Sequence, residues 1–327
     1  MTVVDDELVA AEPAAPERLI DRVDRAADRL AQLRLSSLPQ RLRIPPPKGR
    51  PAPWAVLVTW TLRAAAALTA WVLVYAFVLS GLQEHRAQAT AYEHFRENLA
   101  LATVPISAPI KTGEPVAMLS APVIGMKNLV VVEGTSSGTL RQGPGHRRDT
   151  PLPGQPGYSV LYGRSVTYGA PFGEIGRFEQ GDLIAVTTGE GQFNFKVDDV
   201  RKAGDPLPPA VAAGGSRLVL ETSTGSSWRG GFAPGHALYV DATLVGAAAG
   251  GGQVAALRPH ERAMDSDTSG LTTLVLWLEA MVLAVLAVVW MGARWGRWQT
   301  WLVGGPIVLL VLWGATNAAA PLLPNLI

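Results

Sequence analysis

Leu218-Val219-Leu220-Glu221-Thr222-Ser223 is a short apolar run that ends on two hydroxyl residues. Similar runs occur at Val116 to Leu119, Leu129 to Val132, Ser159 to Tyr162, Leu183 to Thr187, Phe193 to Val197 and Ala237 to Val245, with Gly, Pro, Asn and Asp between them. Short strands at this density, punctuated by turn residues, predict a closed or nearly closed β-barrel over residues 114–246. The chain has no cysteine. Packing rather than disulfides must therefore hold that barrel together.

The flanks of the barrel have a different texture. Hydrophobic residues make up 48% of the 327 positions, and they concentrate in blocks at 54–82, 271–293 and 301–320. The uncharged stretch Ala64 to Leu82 alone has nineteen residues. At about 1.5 Å per residue this is just enough to cross a hydrocarbon core of about 30 Å. Three transmembrane α-helices are therefore expected. Arg34, Arg41, Arg43, Lys48 and Arg50 precede the first block with no acidic residue among 34–53, whereas its far side opens with the mixed set Glu84, Arg86, Glu93, Arg96 and Glu97. Basic residues stay on the cytoplasmic side. That rule puts residues 1–53 in the cytoplasm, 83–270 outside, the turn 294–300 with Arg294 and Arg297 back inside, and the tail 321–327 outside. The triplet Ala87-Gln88-Ala89 would suit a cleavage site, but a charged leader of 53 residues suits a retained anchor better.

Within the leader, Leu19, Val23, Ala26, Leu30 and Leu33 recur at steps of four and three, which predicts an amphipathic helix over 17–34. Such a helix would meet a partner or lie on the membrane face. The proline-rich stretch Arg43 to Pro51 then reads as an extended spacer. Residues 83–113 form a stalk that starts as a continuation of the first span, with Tyr92, Phe95 and Leu99 at helical spacing. Residues 247–270, with Gly250-Gly251-Gly252, read as a flexible linker to the second span. A formal charge of +1 gives no basis for nucleic-acid binding, and no cofactor or metal is expected.

Five further segments occur in a characteristic order. These are Val131-Val132-Glu133-Gly134-Thr135-Ser136, then Gly143-Pro144-Gly145-His146, Thr150-Pro151-Leu152-Pro153-Gly154-Gln155, and Thr167-Tyr168-Gly169-Ala170-Pro171-Phe172 followed by Gly181-Asp182-Leu183-Ile184. In this order they resemble the sortase family, most closely the class E sortases of actinobacteria. The resemblance implies the eight-stranded sortase barrel, in which a histidine, a cysteine and an arginine meet in a groove. There the thiolate attacks a threonyl peptide bond of a sorting signal, and the acyl group passes to an amine.

Carried onto this chain, the histidine position reads Arg164, the cysteine position Ser223 and the arginine position Ala237. Arginine stays protonated and cannot take up a proton at neutral pH. A serine nucleophile needs a neighbouring base, which neither Arg164 nor Ala237 supplies. The resemblance therefore implies a degenerate triad and a sortase-like protein that binds a peptide without cleaving it. Arg164, Ser223, Arg229, His236 and His146 are the candidate groove ligands. His146, in its Gly-Pro-Gly-His element, reads first as structural. An alternative reading keeps Ser223 as the nucleophile of a working transpeptidase or peptidase.

The two extra spans call for their own reason. Glu279 and Asn317 lie at similar depth in the second and third blocks, where a carboxylate needs a partner or a protonating environment. They are expected either to meet across the hairpin or to mark a surface for other membrane proteins, and Gly304, Gly305, Gly314 and Ala315 permit close helix approach. The chain then reads as a scaffold or accessory subunit of a cell-envelope complex. A sensor reporting through residues 17–34 is a further reading.

Overall fold

The computed structural model describes residues 53–223, 237–263, 265, 268–322 and 325–326, and residues 65–327 form one compact unit. The helix expected over 17–34 lies outside the described residues.

Helix α1 (Pro53–Val74) passes through a π-helical turn, Tyr75–Leu79, into α2 (Ser80–Ala100). Helices α3 (Leu271–Arg294) and α4 (Arg297–Ala319) form a hairpin. Three helical stretches, Val58–Ala100, Leu271–Arg294 and Trp298–Leu322, are long and apolar enough to cross a membrane. In the hairpin, an added Cβ at Gly314 would run into the Trp277 ring, and one at Gly304 would lie 2.7 Å from Val288. At Gly305 a Cβ would meet open space, so that glycine plays no part in the close approach.

The strands are β1 (Pro115–Ala121), β2 (Met126–Glu133), β3 (Gly145–His146), β4 (Gly157–Tyr162), β5 (Leu183–Thr188), β6 (Gly191–Lys202), β7 (Ser216–Ser223) and β8 (Ala237–Val245). They close into an eight-stranded barrel in the order β1-β2-β3-β4-β7-β8-β6-β5. The β2–β3 and β4–β7 pairs are parallel and the rest antiparallel. Alternation sets the faces, because successive side chains on a strand point to opposite sides. Leu161, Leu218, Leu220, Val240 and Ala242 enter the core with Val116, Leu119, Phe172, Ile184 and Phe195. Val160 and Tyr162, Glu221 and Ser223, and Tyr239 and Asp241 therefore share the outer face of β4, β7 and β8.

Two neighbouring segments are fastened to this barrel. Helix α2 buries Phe95 against Val104 and Val130, and Gln88 Nε2 donates to the carbonyls of Val130 and Gln142. Residues 247–270 were expected to be a flexible linker, but the stretch 249–261 binds along the barrel. Ala249 N donates to Gly154 O and Ala255 N to Arg148 O. Glu261 is fully buried 3.2 Å from Arg148, and its carbonyl accepts from Thr135. A buried carboxylate paired with a buried guanidinium fixes a segment that glycine content alone would leave loose.

Candidate groove at the end of strands four and seven

Because β4 and β7 run parallel, with Tyr162 opposite Glu221, their C-terminal ends reach the same rim. Gly163, Arg164 and Ser165 follow β4 directly, and β7 ends on Thr222 and Ser223. Ser223 pairs in register with Ala237 at the start of β8. The structure thus brings Arg164, Ser223 and Ala237 to one rim. Arg229 and His236 lie outside the described residues.

The Gly163 backbone packs closely on the Phe172 ring, which any Cβ there would strike. The Arg164 side chain is fully buried. Nη2 donates to Ser137 Oγ at 2.7 Å and to the Ser137 carbonyl at 3.1 Å. Nη1 donates to Thr167 Oγ1 at 3.2 Å, and the guanidinium carbon lies 5.0 Å from the Tyr168 ring centre. Burial lowers the Arg164 pKa to about 10. It therefore remains a cation at neutral pH and a donor only.

Ser223 is buried and shares a hydrogen bond of 2.6 Å with Ser165 Oγ. It also donates to the carbonyl of Leu326 at 3.0 Å, which accepts from Ser165 N and Oγ at 3.4 Å as well. The side chain of Leu326 packs among Leu140, Tyr162, Val160 and Ala263. Two residues along β7 from Ser223, Glu221 sits between Tyr162 and Tyr239, and burial raises its pKa to about 7. Arg201 and Asp241 close that patch at 2.6 Å.

His146 lies elsewhere. Its Nδ1 is 2.8 Å from Glu133 Oε2 and its Nε2 is 3.1 Å from the Pro151 carbonyl, inside a buried network that reaches Arg148. These contacts hold the 145–155 loop and do not reach Ser223. Asn317 is engaged with Tyr75 and Arg141 instead of Glu279. Its Oδ1 accepts from Tyr75 Oη at 2.9 Å and Arg141 Nη1 at 3.1 Å. Glu279 is exposed on α3 and makes no hydrogen bond or ion pair among the described residues. The expected hairpin contact gives way because Asn317 lies on the helix face turned toward the barrel rim.

Ser165, Ser137, Tyr168 and Leu326 are the members of the site that sequence reading did not single out. Ser165 had a signal in its place directly after Arg164; Leu326 had none. A cleft of about 330 Å³ is lined by Glu84, Gln88, Met126, Leu129, Gly169 and Glu174 among others and includes neither Arg164 nor Ser223. No cluster of acidic and histidine side chains suited to a metal ion occurs among the described residues.

Residues 119–224 match the family model of the sortase domain. Sortase D of Bacillus subtilis is 32% identical over 87 residues, which is 27% of this chain and 42% of the relative. The match thus spans less than half of that protein. Among solved structures, a Clostridium perfringens sortase D5 transpeptidase is 21% identical with a TM-score of 0.41, over 49% of this chain and 99% of that one. Sortase E from Streptomyces avermitilis is 29% identical with a TM-score of 0.35, over 42% of this chain and 91% of that one.

Proposed function

We propose that this chain is a membrane-anchored protein whose sortase domain, matched at residues 119–224, binds a peptide without thiol chemistry. In this reading it acts as a scaffold or accessory subunit of a cell-envelope complex. The class E resemblance, with Arg164, Ser223 and Ala237 in the triad positions, belongs to this reading. The barrel then stands outside the cell, with the N-terminus in the cytoplasm.

The observation that carries the proposal is the company Ser223 keeps. Among the described residues its hydroxyl touches only Ser165 Oγ and the Leu326 carbonyl. Neither is a base, and a serine hydroxyl without one is a weak nucleophile. The same groups are well suited to binding, since hydroxyls and a backbone N–H converge on one carbonyl oxygen. The exposed Glu279, in an apolar helix, supports a partner within the membrane, because an isolated carboxylate there is costly.

Full-length protein in detergent, mixed with a fluorogenic sorting-signal peptide, tests this directly. Saturable binding with no cleavage is expected. Cleavage that vanishes in Ser223→Ala would replace the proposal with a serine transpeptidase or peptidase, and no saturable binding either to the full chain or to a variant lacking residues 323–327 would discard peptide recognition altogether. Stoichiometric co-purification of a membrane protein that is lost on deleting residues 271–327 is the expected sign of the accessory role.

A further inference from the structure

The rim that carries Ser223 is filled by the chain's own tail. Asn325 and Leu326 are both fully buried. The Asn325 N–H donates to the Asp265 carbonyl at 3.2 Å, and its Nδ2 donates to the His260 carbonyl at 3.1 Å and the Arg262 carbonyl at 2.5 Å. The next residue, Leu326, directs its carbonyl to Ser223 and Ser165 and its side chain to Leu140 and Tyr162. Just before this segment, the Ala320 carbonyl accepts from Ser137 Oγ, the same hydroxyl that holds Arg164.

These contacts are of the kind a bound peptide makes. A backbone carbonyl meets several donors, an aliphatic side chain fills an apolar pocket, and a preceding amide side chain is fixed by main-chain carbonyls. Ser165 follows the end of β4 and Ser223 ends the neighbouring parallel strand β7, and the shared acceptor they meet belongs to a segment 103 positions downstream of Ser223.

We propose that the tail at Asn325–Leu326 is a built-in competitor for this groove. The site takes a peptide carrying an amide residue followed by an aliphatic one, and such a peptide binds only when the tail leaves. This deepens the peptide-binding reading and rests on it for the external ligand. Occupancy by the tail is tested separately. Binding energy spent on expelling the tail lowers the apparent affinity by the fraction of molecules with the groove open.

The absence of cysteine makes the test direct. Ser223→Cys places a single thiol in the groove, and its rate of modification by a maleimide in the full-length protein reports access. Slow labelling is expected in the full chain, with roughly tenfold or faster labelling when residues 323–327 are deleted or when Leu326→Asp is added. Adding the synthetic peptide Pro-Leu-Leu-Pro-Asn-Leu-Ile to the deletion variant should restore protection, while a scrambled peptide should not. Equal rates in the full chain, the deletion and Leu326→Asp would overturn the proposal. So would failure of the peptide to protect a deletion variant that still melts cooperatively. If the tail protects but a sorting-signal peptide does not displace it, the tail's role stands and the broader peptide-binding reading fails.

Discussion

Asn317 Oδ1 stands 3.1 Å from Arg141 Nη1, joining the third apolar helix to the loop between β2 and β3. The Asn317 carbonyl also accepts from that nitrogen at 3.2 Å, and Tyr75 approaches Oδ1 from the first helix. Three parts of the chain thus meet on one side chain. Arg141→Ala should destabilise the full-length protein by about 1–3 kcal/mol, the usual cost of leaving charged-group acceptors without their donor. Tryptophan-fluorescence melting in detergent would measure it, and an unchanged midpoint would show that the barrel and hairpin are held by other contacts.

Arg164 should be replaceable by neither alanine nor lysine. Its fork reaches Ser137 and Thr167 while the guanidinium plane lies over Tyr168, and a compact ammonium cannot reproduce that geometry. Both Arg164→Ala and Arg164→Lys are expected to lose about 1.5–3 kcal/mol of stability. A lysine variant that melts like the parent would indicate that charge alone suffices.

Stability should also vary with pH through Glu221. Its folded-state pKa is raised by burial from 4.5 to about 7, so the folded chain holds this proton more tightly than the unfolded chain does. The resulting stabilisation is full below about 4.5 and is lost as pH rises through about 7. Glu221→Gln should therefore melt higher than the parent above neutral pH, and the difference should shrink toward acid. A difference that grows toward acid would reverse the sign of the shift.

The hairpin offers a paired control. At Gly314 a methyl group would enter the Trp277 ring, while at Gly305 it would meet nothing. Gly314→Ala should cost about 1–3 kcal/mol through overpacking, and Gly305→Ala should be neutral or slightly favourable in a helix. Limited proteolysis of the two variants at the Trp295-Gly296 turn would separate them, with Gly314→Ala cut sooner.

The parts of this fold that read clearly from sequence are those with a repeating local signal. The apolar blocks gave three helices, and the alternation around Leu218 and Leu220 gave a strand with one face inward. The two-residue strand Gly145–His146 has no such signal, because its place in the barrel depends on pairing with β2 and β4. Glu261 was read as part of a loose tether for the same reason. A single acidic residue in a glycine-rich segment does not announce the buried Arg148 113 positions away. Arg164, Ser223 and Ala237, singled out by resemblance, lie at one rim, but the buried contacts of Arg164 with Ser137 and Thr167 carry no local signal. The contribution of Leu326 rests on a contact across two intervening helices, which no local pattern encodes.

That long separation also sets an order of events during biosynthesis. The barrel strands emerge before α3 and α4, and Leu326 follows only after both helices. Until Leu326 has emerged, the rim residues Ser165 and Ser223 lack the acceptor they share in the finished fold. A chain whose hairpin has not yet formed would lack the Leu326 carbonyl as the acceptor for Ser223 and Ser165.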